Sequence, residues 1–204
     1  MAAPFNPLDA AKIVGSAGVP ETQAFICKYE ESPALGVITD VHAAVTDDGT
    51  EQTITTSITN PDVPRVVSAT AGGTATDIKA ISCTIVGTDI AGNALTEVLP
   101  AFDVDTAGTK TGTKAFKTVT SITLPAHDGT GATTSFGTGA ALGLAHKLTT
   151  NTVIDGCTSL NAVQEGTDAT VTVSSTVVAS NTISLSTALD GNVVVAYYLV
   201  DGND

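Results

Sequence analysis

The chain has 204 residues with 21 acidic and 8 basic side chains, a formal net charge of −13, and only 14% charged residues. At 42% hydrophobic it is too apolar for a disordered chain, and eight basic groups against 21 carboxylates argue against nucleic acid as a partner. No apolar run approaches the ~18 residues that a membrane-spanning helix needs, so no membrane partner is expected.

Residues 1–33 read as an N-terminal arm. Pro4, Pro7, Pro20 and Pro33 punctuate it, and Gly15 and Gly18 interrupt it. A helix of about two turns is predicted near Pro7, with Asp9 in its first turn and Leu8, Ala11 and Ile13 as apolar contacts. The opening lacks the basic region and continuous apolar stretch of a secretory signal, so folding in a reducing cytosol is expected.

From residue 34 the period changes to two, and residues 34–204 read as one β body. Leu35-Gly36-Val37-Ile38-Thr39-Asp40-Val41 is the first predicted strand, and Asp47-Asp48-Gly49-Thr50 a turn. Strands are predicted over 52–58 and 65–70. A hairpin follows, with 78–86 as one arm, a turn at Asp89-Ile90-Ala91-Gly92-Asn93, and 95–99 as the other. Lys110, Lys114 and Lys117 cluster around Phe116. A strand through Val119, Ile122 and Leu124 ends at Pro125, and 127–143 reads as a Gly/Thr-rich connector. Strands at 170–174 and 182–186 precede a turn at Asp190-Gly191. The last strand, 193–200, is apolar on both faces, which suits burial in the domain or at a subunit contact.

These elements argue an all-β fold: a β-sandwich or jelly-roll-like body of about ten short strands with an extended Pro-containing N-terminal arm. The 35 Thr residues fit outward strand positions, being β-branched yet polar.

Catalytic chemistry is not expected. His42, His127 and His146 are scattered, and only His127 has an adjacent carboxylate, Asp128. The nucleophile elbow Gly-x-Ser-x-Gly and the phosphate-binding loop are missing, so no catalytic residue and no cofactor is assigned. Asp47-Asp48-Gly49 and Asp103-Val104-Asp105 carry the oxygens that calcium prefers. Neither extends into the twelve-residue loop, so both are read as solvated turns and no metal is assigned. Cys27, Cys83 and Cys157 lack metal-ligand spacing and read as small hydrophobes. Lys110, Lys114 and Lys117 make a candidate basic patch for an acidic partner surface, with local balance by Asp103 and Asp105 as the alternative.

One stretch, Pro64 to Gly143, carries a resemblance. It runs through Pro64-Arg65-Val66-Val67, Gly73-Thr74-Ala75-Thr76-Asp77-Ile78-Lys79-Ala80, and Gly112-Thr113-Lys114-Ala115-Phe116-Lys117, then on to Leu124-Pro125-Ala126 and Asp128-Gly129-Thr130-Gly131-Ala132. A second piece lies between Asn181-Thr182-Ile183 and Val195-Ala196-Tyr197-Tyr198. Together they cover about half of the chain and resemble segments that recur in virion structural proteins of tailed bacteriophages. The Gly-Thr-Lys-Ala-Phe-Lys run is the most distinctive part, and the arm is outside the resemblance.

The resemblance implies a place in the virion without an activity. Within that class the favoured expectation is a capsid decoration (cement) protein, made in the host cytoplasm and bound to the outside of the shell. Its partners would be the major capsid protein and copies of itself, as a trimer or dimer. Phe5, Leu8 and Ile13 of the arm are the expected partner contacts, together with the lysine patch. A tail-tube or head-tail connector subunit is the alternative within the virion. An extracellular glycan-binding or adhesion sandwich is a further one, and Tyr197 and Tyr198 exposed around a shallow groove would favour it.

Overall fold

The computed structural model describes residues 11–12 and 23–201. In chain order these form β1 (Ala11–Lys12), β2 (Gln23–Glu31), β3 (His42–Thr46), β4 (Gln52–Ile54), β5 (Arg65–Gly73), β6 (Thr84–Thr88), β7 (Ala94–Val98) and β8 (Gly108–Phe116). They continue with β9 (Thr118–Leu124), β10 (Ala132–Gly143), β11 (Ser159–Leu160), β12 (Val163–Gln164), β13 (Thr170–Thr172), β14 (Thr182–Ser184) and β15 (Val194–Asp201). Two short 3-10 turns, Ala75–Asp77 and Val178–Ser180, are the only helical pieces among the described residues. The fold is all-β and sandwich-like, as the alternation predicts. It has more strands than expected because several are only two or three residues long.

Among the described residues all pairings are antiparallel, in three sheets. One has the order β1-β2-β15-β11-β12, one β4-β9-β6-β7, and one β13-β14-β10-β5-β8, with β3 also paired to β10. The twelve-residue β10 joins two cores. Its Ala132 and Phe136 enter the first, with Val67 and Ala69 of β5, Phe116 of β8, Ile85 of β6 and Ile122 of β9. Its Leu142 enters the second, with Ile183 of β14, Tyr29 of β2 and Val194, Ala196 and Tyr198 of β15.

The alternation that predicts the hairpin holds in β6 and β7. Leu95 and Glu97 point inward while Ala94, Thr96 and Val98 face out. At their turn the Asp89 carboxylate accepts the backbone N–H of Asn93 at 2.9 Å, and Gly92 takes a φ of +84°. Residues 78–83, expected as strand, are irregular but buried at Ile78, Ile81 and Cys83. Their backbone bonds go elsewhere: Phe102 N–H to Ile81 and Leu99 N–H to Cys83.

Four further expectations change. The predicted connector 127–143 contains β10, which pairs with β5 on one side and with β3 and β14 on the other. Residues 35–41, expected as a strand, are a non-strand strap ending at Val41, whose N–H bonds to Phe136. Within the stretch assigned to the arm, 23–31 form β2, which pairs with β15 along eight residues. Ala11, placed in a predicted helix, lies in β1 opposite Ala24. The rest of that helix, with Leu8 and Ile13, and Phe5 lie outside the described residues.

One buried amide organises the C-terminal third. Asn181 is fully buried, and its Oδ1 accepts the N–H of Leu148 and of Ser174 at 3.0 and 2.7 Å. Its Nδ2 donates to the carbonyls of Ser174 and Val177. Every polar atom of the side chain is therefore satisfied, as burial requires.

Candidate functional site

An exposed apolar feature of the body is the strap. Leu35, Val37 and Ile38 are 60%, 49% and 50% exposed within four residues. They do not collapse inward because the backbone beneath them is fixed. The Ala34 N–H donates to Asp62 Oδ2 at 2.7 Å, and the Arg65 guanidinium donates to the Ala34 carbonyl at 2.9 Å. At the other end the Val37 N–H and the Thr138 hydroxyl both donate to Asp40 Oδ2, at 2.6 and 2.9 Å.

Glycine lets the strap lie directly on β10. A Cβ on Gly36 would come under 3.0 Å from the Thr138 carbonyl oxygen, and one on Gly137 under 3.0 Å from that of Val37. Recesses of about 200 Å³ and about 150 Å³ flank Leu35, the first floored by Pro61 and Thr138, the second by Ala140 and Leu189. Arg65, the sole arginine, is 1% exposed beneath the strap. Carbonyls of Gly139 and Ala34 and the Asp62 carboxylate compensate its charge. Sequence reading missed this surface by taking the Leu-Gly-Val-Ile run for strand. Gly36, between Pro33 and Asp40, was the available signal of a close backbone crossing.

A second apolar surface is the outer face of the β2–β15 ribbon. Val194, Ala196, Tyr198 and Val200 face the second core, whereas Val195, Tyr197 and Leu199 are half-buried. Ile26, 64% exposed, stands opposite Leu199. The last strand is thus apolar on both faces, with only one of them in the core.

The lysines are brought to one strand region, where Lys110 and Lys114 are already engaged. Lys110 on β8 pairs with Asp103 at 2.9 Å, the local balance weighed from sequence. Lys114 Nζ donates to the Thr96 carbonyl at 3.0 Å. Lys117, just past β8, is exposed. The inward carboxylate of Glu97 lies beside them, accepting the N–H groups of Thr113 and Lys114.

The histidines have separate structural partners. His42 Nδ1 lies 2.7 Å from the Ala43 carbonyl, and His146 Nδ1 lies 2.8 Å from the Tyr198 hydroxyl. His127 is buried and bonded at both ring nitrogens, while neighbouring Asp128 points away to an ion pair with Lys79. Burial pushes the Tyr198 phenol up to about 12 and the Cys83 thiol up to about 12. Cys157 is exposed and Cys27 half-buried, so only Cys83 is a fully buried small hydrophobe. Tyr198 is 2% exposed and Tyr197 faces the opposite side of its strand, so the pair does not frame the groove that a glycan-binding reading asks for.

Among the described residues, no three His, Cys, Asp or Glu side chains gather as a metal-binding group, and no helix is long and apolar enough to cross a membrane. The Asp47 carboxylate accepts the backbone N–H of Gly49 and of His127, and Asp48 accepts that of Thr50. Comparison with known proteins finds no family model, no curated relative and no solved structure that matches the chain.

Proposed function

We propose that the protein is a non-enzymatic virion structural protein of a tailed bacteriophage, a capsid decoration protein. It acts on the outside of the shell by bridging major capsid subunits and copies of itself. The observation that carries this reading is the pinned strap. Three large aliphatic side chains are held outward on a backbone fixed by Asp40, Asp62 and Arg65, beside two recesses of side-chain size. A preorganised apolar surface of this kind loses little entropy on docking. Removing each half-exposed aliphatic side chain from water contributes about 1 kcal/mol, a small term that repetition over a shell multiplies.

The resemblance supports the same reading, because its 64–143 stretch coincides with the consecutive strands β5 to β10, which supply most of the first core. With Lys110 and Lys114 engaged within the chain, apolar rather than ionic contact is the main attraction. The acidic excess of the chain keeps it off packaged DNA.

The test is binding of the purified chain to capsids that lack it, with shell melting as readout. The intact chain is expected to bind and raise the melting temperature, and Leu35→Ser with Ile38→Ser to weaken binding while leaving the fold intact. Assembly into tubes or rings without shell binding would favour the tail-tube reading. A monomer that binds neither would remove the virion assignment.

A further inference from the structure

His127 sits where three irregular segments meet. Its own N–H donates to the buried Asp47 carboxylate at 2.5 Å, tying the loop after β9 to the turn after β3. Its Nδ1 accepts the backbone N–H of Lys79 at 3.2 Å, tying the same loop to the irregular segment 74–81. Its Nε2 lies 3.0 Å from the Thr134 hydroxyl on β10, and the Phe102 ring packs 5.9 Å away. Because a backbone N–H can only donate, Nδ1 must be bare. The network therefore assigns the neutral Nε2–H tautomer.

We infer that His127 is a proton-sensitive latch, which when neutral holds segment 74–81 against loop 127–134 and when charged releases it. An imidazolium carries N–H at both ring positions, so its Nδ1–H would face the Lys79 N–H donor to donor. The Lys79 N–H cannot turn to a new acceptor without moving the segment. That segment places Ile78 and Ile81 in the first core, so its release would loosen one edge of that core.

The groups facing the ring pull in opposite directions. Burial disfavours the imidazolium, and this is the larger effect; Asp47 and Asp128 favour it, and the balance holds His127 below the ordinary histidine value. Lys79 is turned outward to Asp128, Asp77 is occupied by the Gly131 N–H, and Asp103 by Lys110. A depressed folded value means that the latch contributes its full stability above the unfolded value of ~6.5. That contribution is lost as pH falls from there through the folded value.

The test follows amide exchange of Lys79 and NMR titration of the His127 ring in the full chain, from about pH 7.5 to about pH 5. After correction for intrinsic exchange, opening at Lys79 should rise by up to about tenfold per pH unit in that window, with the midpoint of the ring titration. His127→Gln supplies an amide acceptor that does not titrate and should flatten the profile. Carboxylates titrating at lower pH remain in both proteins and cancel in the comparison. If His127→Gln does not fold, the wild-type midpoints decide alone. A Lys79 profile that stays flat while the ring titrates overturns the latch. So does one that keeps its slope in His127→Gln.

Discussion

Glu97 on β7 accepts the backbone N–H of Thr113 on β8 at 2.7 Å, joining two sheets that share no strand ladder. The same carboxylate takes the Thr113 hydroxyl at 3.0 Å and the Lys114 N–H at 3.2 Å. A buried acid thus occupies two donors that edge strand β8 would otherwise leave open. Glu97→Ala should destabilise the protein by about 2–3 kcal/mol, because both N–H groups lose their acceptor in a half-buried place. Glu97→Gln keeps one acceptor oxygen and should cost about half as much. Urea denaturation of both variants separates the outcomes, and equal losses would mean that packing of the side chain, not its oxygens, is what matters.

The crossing of the strap over β10 makes a second prediction. Gly137→Ala places a methyl group against the Val37 carbonyl and the backbone of Ile38, neither of which is a flexible side-chain end. A loss of about 3 kcal/mol is expected, at the upper end for overpacking. Gly92→Ala is the control. Its Cβ meets nothing within 4 Å, and its φ of +84° alone should cost about 1 kcal/mol. Thermal melts of the two variants compare backbone collision with turn strain, and a smaller loss at Gly137 than at Gly92 would contradict the close crossing.

Gly137 also explains what was legible in the sequence and what was not. Where one face is buried and the other solvated, as in β6, β7 and β9, alternation reveals the strand. The Asp-Gly and Gly-Asn turns likewise mark their places. β10 is hidden because Gly137, Gly139 and Gly143 read as loop residues. In the fold they are where Val37, Val66 and Ala115 press against the central strand. Local pattern cannot distinguish flexible glycine from glycine demanded by a neighbour distant along the chain, as Val37 is from Gly137. The strap failed in the opposite sense, since the strand-forming residues Val37, Ile38 and Thr39 are tied into a turn by Asp40 and Thr138. The candidate lysines were legible as a cluster, and so was Asp103 as the local balance for Lys110, but the Thr96 carbonyl that engages Lys114 comes from packing between sheets that the sequence does not display.

Tyr29 gives the last prediction. Its ring packs in the second core at 7% exposure, and its hydroxyl is buried without a hydrogen-bond partner among the described residues. Burial pushes this phenol well above its ordinary value, with Glu31 adding to the shift. Tyr29→Phe removes an unpaired polar atom and keeps the ring, so stability at neutral pH should hold or rise by about 1 kcal/mol. The sign at high pH follows from linkage. An acid whose folded value is raised ionises first in the unfolded chain, so its contribution is present below about pH 10 and lost as pH climbs. The variant should therefore lose less stability than the wild type between neutral pH and about pH 11, with Tyr198 still contributing its share in both. Urea midpoints at the two pH values measure this directly. A neutral-pH loss above about 1 kcal/mol would mean that the hydroxyl does have a partner, and the packing of β2 against the second core would need revision.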